Sequence, residues 1–70
     1  MIIIDKTICK RIARCRQECN LTQGELAANV GLNLSRLIKI EAGSLIPRIS
    51  ELAQLAVGFN ISIDELVNNE

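Results

Sequence analysis

The chain contains no histidine, no tryptophan and no tyrosine, and Phe59 is its single aromatic residue. Without histidine it lacks the usual general base near neutral pH and any imidazole to complete a zinc site. Neither a glycine-rich phosphate loop nor a convergent carboxylate pair is present, so an enzyme has no residues to run on. The expectation is therefore no catalytic residue, no cofactor and no metal ion. Cys9, Cys15 and Cys19 form an odd set at C-x5-C-x3-C spacing. That fits neither a zinc-ligand pattern nor a redox C-x-x-C pair. They read as reduced thiols of a cytoplasmic protein, with Cys15 on the core face of the first helix and the costliest of the three to replace. Long apolar runs are missing as well. Met1-Ile2-Ile3-Ile4 is too short for a signal or membrane segment and charges follow at once, so no membrane partner is expected.

What is present is aliphatic. Hydrophobic residues make up 49% of a 70-residue chain, enough for one domain over residues 1–70. A domain of this size buries only about 60% of its unfolded surface, and such a core supplies only a few kcal/mol. Close helix packing or dimerisation makes up the difference, and the aliphatic surplus points to surface hidden against a partner. The formal charge is zero, but its signs are segregated. Residues 1–48 carry all eight bases against four acids, and residues 49–70 carry four acids and no base. One half suits a phosphate surface and the other faces away from it.

Apolar periodicity predicts an all-α chain of five helices. The first runs from about Lys6 to Cys19, with Ile8, Ile12 and Cys15 inward and Asn20 as its stop. Thr22 and Glu25 stand at capping-box spacing and open the second, which carries Leu26, Ala27 and Val30 and stops at Gly31. Asn33 opens the third, about 34–42, with Leu37 and Ile40 inward and Gly43 as its stop. The fourth follows Pro47, carries Ile49, Leu52, Leu55, Ala56 and Phe59, and stops at Asn60. Ser62 and Glu65 repeat the capping box before Ile63, Leu66 and Val67 in the fifth. No strand is required, save a possible one at Ile2–Ile4. Helices two and three, joined by a tight turn at Gly31, make a helix-turn-helix over about 22–42. That device lays one helix across a DNA backbone and the next into the major groove.

The motifs Lys10-Arg11-Ile12, Leu21-Thr22-Gln23, Glu25-Leu26-Ala27, Gly31-Leu32, Ile40-Glu41, Gly43, Pro47, Leu55-Ala56 and Ile61-Ser62-Ile63-Asp64-Glu65-Leu66 occur in that order over about residues 8–67. In this the chain resembles the Cro-type phage repressor family, the Xre-like helix-turn-helix transcriptional regulators. The resemblance implies a five-helix, lambda-repressor-like bundle, a homodimer and a palindromic operator in double-stranded DNA. It also implies roles for residues. Gln23 would anchor a phosphate and brace the recognition helix, helped by Thr22 and the helix N-terminus. Asn33, Leu34, Ser35 and Lys39 would reach base edges, and Arg16 with Glu41 would form a structural ion pair.

Departures from the family pattern shift the expectations. Leu34 and Ile38 occupy positions that are polar or basic in the family, and the loop after Gly43 reads Ser44-Leu45-Ile46. Leucine contacts a thymine methyl but donates no hydrogen bond, so base readout falls mainly on Lys39 and Arg36. Arg48 stands where the family has a serine cap, which weakens the start of helix four. Leu45, Ile46 and Val57 have no obvious core role, and because helix five lies beside this surplus in the related folds, the resemblance implies a dimer interface at Val57, Ile63, Leu66 and Val67, with the N-terminal arm as a further candidate. The alternative function keeps the fold as a protein-interaction module, antitoxin-like or partner-binding, with a protein partner on its apolar surface.

Overall fold

The computed structural model describes residues 5–68. Their elements are α1 (Lys6–Glu18), α2 (Gln23–Val30), α3 (Leu34–Glu41), α4 (Ile49–Phe59) and α5 (Ile63–Asn68), with no strand among the described residues. The possible strand and arm at Ile2–Ile4 lie outside them. Helix starts follow hydrogen-bond chemistry. Asp5, Thr22 and Asn33 each accept a backbone N–H of the following first turn, and Ser62 does the same for Glu65. The Thr22–Glu25 and Ser62–Glu65 boxes are both closed in the reverse direction as well, through the glutamate carboxylates.

Helix ends share one device. Asn20, Gly31, Gly43 and Asn60 all have positive φ, between 58° and 80°. After each, the chain turns back and the next amide donates to a carbonyl five residues upstream. The pairs are Leu21 to Arg16, Leu32 to Ala27, Ser44 to Lys39 and Ile61 to Ala56, all at 2.9–3.2 Å. Only glycine and asparagine adopt that left-handed geometry readily, so these four positions set the helix lengths.

The core gathers Ile8, Cys9 and Ile12 of α1, Leu26 and Ala27 of α2, and Leu37 and Ile40 of α3. Leu52, Leu55, Ala56 and Phe59 of α4 and Leu66 and Val67 of α5 complete it. Two inward assignments from periodicity are corrected. Cys9, not Cys15, is the buried thiol of α1, and its Sγ lies 3.7 Å from the Leu45 carbonyl oxygen. Cys15 is half-buried at the core's edge. The inward face of α1 is thus rotated toward position 9. Ile49 is 55% exposed, on the outward side of the first turn of α4, while Glu51 of the same turn is buried. Leu45, without an evident core role in the sequence, packs against the core from the α3–α4 loop, and Pro47 in that loop is buried.

A further correction concerns α5. Leu66 and Val67 are buried inside this chain's own core, so they are not surface for a second copy. Ile63 is half-buried against the same core. Of the residues assigned to an interface, Val57 alone is strongly exposed, at 80%. Arg11 explains part of α5's seat: its Nη1 donates to the Leu66 carbonyl at 3.0 Å, which holds α5 against α1.

Two features fix α3 and α4. First, Gly58 faces α2, and a Cβ there would collide with the Cγ1 methyl of Val30. The two helices approach because position 58 has no side chain, and Gln54 Nε2 seals the contact by donating to the Val30 carbonyl at 3.0 Å. Second, the buried carboxylate of Glu51 receives a fork from Arg36, Nε at 2.6 Å and Nη2 at 2.9 Å. The same carboxylate accepts the Arg48 N–H at 2.8 Å. Arginine has no acceptor atom to complete a capping box, so the start of α4 rests on Glu51 alone. The Arg36 hydrogen bonds hold the Glu51 carboxyl below the usual carboxylate range against the opposing effect of burial, with the Arg48 N–H adding to the same direction.

Two tests follow from this packing. Gly58→Ala should lower the thermal midpoint although alanine is the better helix former by about 1 kcal/mol, because the β-branched valine at position 30 is stiff at χ1 and yields only by leaving its preferred rotamer or moving α2. Val30→Ala in the same chain should recover most of the loss. Glu51 has its pKa depressed in the fold, so its stabilisation is present above the unfolded carboxylate pKa and fades as pH falls through the folded one. Thermal melts across acid pH should therefore show Arg36→Ala well below wild type at pH 7 and the gap closing below about pH 4. A gap independent of pH would remove Glu51 from the account.

Candidate nucleic-acid interface

The turn between α2 and α3 spans Gly31, Leu32 and Asn33, and the two helices pack directly on each other. Within α3, Leu37 and Ile40 face the core, Arg36 turns to α4, and the residues 34, 35, 38 and 39 share the exposed side. Positions 34 and 38 are one turn apart, as are 35 and 39, so these four form one continuous strip. Ser35 and Lys39 are exposed, and Lys39 belongs to neither arginine–carboxylate pair. Leu34 is 44% and Ile38 45% exposed, high values for large aliphatic side chains.

The C-terminal end of α3 is fixed by a second arginine. Arg16 Nε of α1 donates to both Glu41 oxygens, at 2.8 and 3.1 Å, and its Nη1 donates to the Leu21 carbonyl at 2.7 Å. Gln23 Nε2 donates to Glu41 Oε1 at 3.2 Å. One nearly buried carboxylate thus ties the end of α1, the start of α2 and the end of α3 together, with its side chain only 6% exposed. Every side chain in the knot has a partner, as buried charge requires.

The N-terminus of α2 lies beside this knot. Its capping box uses the Thr22 and Glu25 amides, and the Gln23 and Gly24 amides fall outside it. Asn33 Oδ1 accepts the Arg36 N–H at 3.1 Å, which makes its side chain a helix cap. Arg36 itself differs most from expectation. Its Nε and one terminal nitrogen are engaged by Glu51, so the fork expected to read bases is occupied inside the protein. The sequence does carry a signal for this: Glu51 stands three residues after Arg48, at N-terminal capping distance, on a helix face otherwise apolar.

A basic concavity on α1 is lined by Thr7, Lys10, Arg11 and Arg14. Among the described residues no group of three or more histidine, cysteine, aspartate or glutamate residues is placed to hold a metal ion. Cys9 and Cys15 have thiol pKa values raised, first by burial and then by neighbouring negative groups, which suppresses thiolate chemistry. No described helix is long and apolar enough to cross a membrane.

Comparison with known proteins is consistent with this geometry. The helix-turn-helix family HTH_3 matches the chain over residues 12–66. The cryptic phage CTXphi transcriptional repressor RstR of Vibrio cholerae serotype O1 is 37% identical over 57 residues, covering 81% of this chain and 51% of that protein. The chain thus spans about half the length of that curated relative. Among solved structures, SinR, the master regulator for biofilm formation, in complex with DNA, is similar at a TM-score of 0.80 and 30% identity, over 84% of this chain and 95% of that one. The restriction-modification controller protein C.AhdI from Aeromonas hydrophila follows at 0.79 and 27%, over 84% and 89%. The fold is the lambda-repressor-like one, shared with the P22 c2 repressor at a TM-score of 0.79. With the turn, the braced third helix and the family match over residues 12–66, the chain belongs to the Cro-type, Xre-like helix-turn-helix family of DNA-binding transcriptional regulators.

Proposed function

We propose that this chain is a sequence-specific regulator that binds a palindromic operator as a homodimer and inserts α3 into the major groove. The observation that carries the proposal is the exposed strip of α3, Leu34, Ser35, Ile38 and Lys39, on a helix whose two flanks are tied down by Arg16–Glu41 and Arg36–Glu51. A rigid helix with one free face is what base readout needs. The Gln23 and Gly24 amides and the Thr22 hydroxyl supply phosphate contacts at the positive end of α2, and Gln23 carries that contact to α3 through Glu41. Lys39 supplies the charged base contact. Arg36 and Asn33 act as supports, because Arg36 Nε and Nη2 and Asn33 Oδ1 are committed within the fold. The solved SinR–DNA complex and the repressor RstR support DNA as the ligand. The cytoplasm is the compartment in which such a regulator meets its operator.

The exposed apolar atoms of α3 also favour a second reading, a protein partner on that face. Ionic strength separates the two. Phosphate contacts release counterions, so a dimer neutralising six phosphates loses about 10³-fold in affinity between 50 and 200 mM salt. An apolar protein interface barely responds.

In fluorescence anisotropy on duplex DNA, Gln23→Ala should weaken binding to all sequences alike. Lys39→Ala should also relax preference at one position of each half-site, by about 1–3 kcal/mol. Both should melt as folded domains; unchanged affinity in both would sink the assignment of α3. Dimerisation has its own test, with Val57 as the centre of the interface now that Leu66 and Val67 belong to the core. Burying a valine contributes about 1.5–3 kcal/mol. Sedimentation at micromolar concentration should show a dimeric wild type and a monomeric Val57→Glu variant. A variant that stays dimeric moves the interface elsewhere.

A further inference from the structure

The recognition strip of α3 has few hydrogen-bonding groups left to offer. Asn33 Oδ1 is taken by the Arg36 amide, the Arg36 fork by Glu51, and Gln23 Nε2 by Glu41. Beyond Asn33 Nδ2 and Arg36 Nη1, the side chains on the exposed side that can hydrogen-bond are Ser35 and Lys39, and lysine is a compact charge whose donors rotate, a poor discriminator of base identity. The rest of the strip is aliphatic: Leu34 and Ile38, one turn apart and each nearly half exposed. They form a row beside the row of Ser35 and Lys39 on the same exposed side of α3, so a surface that receives those two also meets the leucine and isoleucine.

We infer that Leu34 and Ile38 are specificity-determining residues that read the C5 methyl groups of thymine in the major groove. The inference rests on the DNA-binding proposal and deepens it. In the major groove thymine presents an O4 acceptor and a methyl, whereas cytosine presents an N4 donor and no methyl. A pair of branched aliphatic side chains has no way to use the O4 and every reason to cover the methyl. The occupant is set by continuity: the aliphatic row adjoins the row of Ser35 and Lys39 on the exposed side of a helix in the basic half of the chain, where a polyanion is drawn. The operator half-site should accordingly contain at least one thymine whose methyl, more than its hydrogen-bonding edge, decides affinity.

Uracil tests this directly, since it keeps the O4 and lacks only the methyl. A site enriched from random duplex DNA on the wild-type protein is resynthesised with each thymine in turn replaced by deoxyuridine, and affinity is measured at one fixed salt concentration. At one or two positions per half-site the loss should be about fourfold per methyl, the worth of one buried methyl group. Elsewhere it should be negligible. With Leu34→Ala or Ile38→Ala the thymine-to-uracil ratio at the sensitive position should fall toward one. Both side chains lie outside the core, and circular dichroism verifies that the variants are folded. Equal affinity for the thymine and uracil sites overturns the inference while leaving DNA binding intact. It also turns the aliphatic strip over to a protein partner if Leu34→Ala leaves DNA affinity unchanged. Failure to enrich any sequence overturns both this inference and the proposal beneath it.

Discussion

Two arginine–carboxylate pairs hold α3 by its flanks, and the rest of the molecule's function depends on that hold. An eight-residue helix is far below the length that is stable alone in water. Here only Leu37 and Ile40 anchor it to the core, and two aliphatic side chains leave rotation about the helix axis poorly fixed. Arg36 reaching Glu51 on one side and Glu41 receiving Arg16 on the other fix that rotation. Each pair has a nearly buried carboxylate that is further hydrogen-bonded, by the Arg48 amide in one case and Gln23 in the other. Removing one member strands a charge in the interior, which is costlier than the pair is stabilising. The pairs therefore act mainly as orientation devices, and the orientation they set is the one that presents Ser35 and Lys39 outward.

The same hold redistributes chemistry across the chain. Arginine is the residue best suited to bidentate base reading, yet both arginines near α3 point inward. On the exposed strip of α3 the polar side chains are one lysine and one serine, with leucine and isoleucine in the row beside them. Seen with the charge map, a division of labour emerges. In the proposed function, bases in the first two-thirds of the sequence would attract a phosphate surface, α3 would supply discrimination, and acids on α5 such as Asp64 and Glu65 stay exposed on the last helix. Attraction and selectivity would then be carried by different residues, which is the usual separation in DNA recognition.

Local hydrogen-bond chemistry was the most legible layer of the sequence. Thr22-x-x-Glu25 and Ser62-x-x-Glu65 mark helix starts, and Asn20, Gly31, Gly43 and Asn60 mark helix ends, because capping and left-handed φ depend on residue type within a few positions. The family motifs carried the fold. What escaped were properties set by packing between distant segments. Helical periodicity cannot separate Cys9 from Cys15 when both border the apolar stripe. It also cannot tell that Leu66 and Val67 face this chain's own α1 and α4 side and not a second copy. The capping distance from Arg48 marks Glu51, but its pairing with Arg36 does not show, since that partner lies 15 residues upstream. The need for glycine at position 58 likewise lies in packing, against Val30 of another helix.

The central claim is that α3 and the N-terminus of α2 form one rigid face for DNA. Backbone amide NMR of the isotope-labelled protein, titrated with duplex DNA at moderate salt, tests it most directly. The account predicts shifts concentrated at Gln23, Gly24, Leu34, Ser35, Ile38 and Lys39, with the amides of Asp64 to Asn68 unmoved and the signals of α3 shifting as one unit. Shifts centred on α5, or none at concentrations that saturate a related repressor, would contradict it.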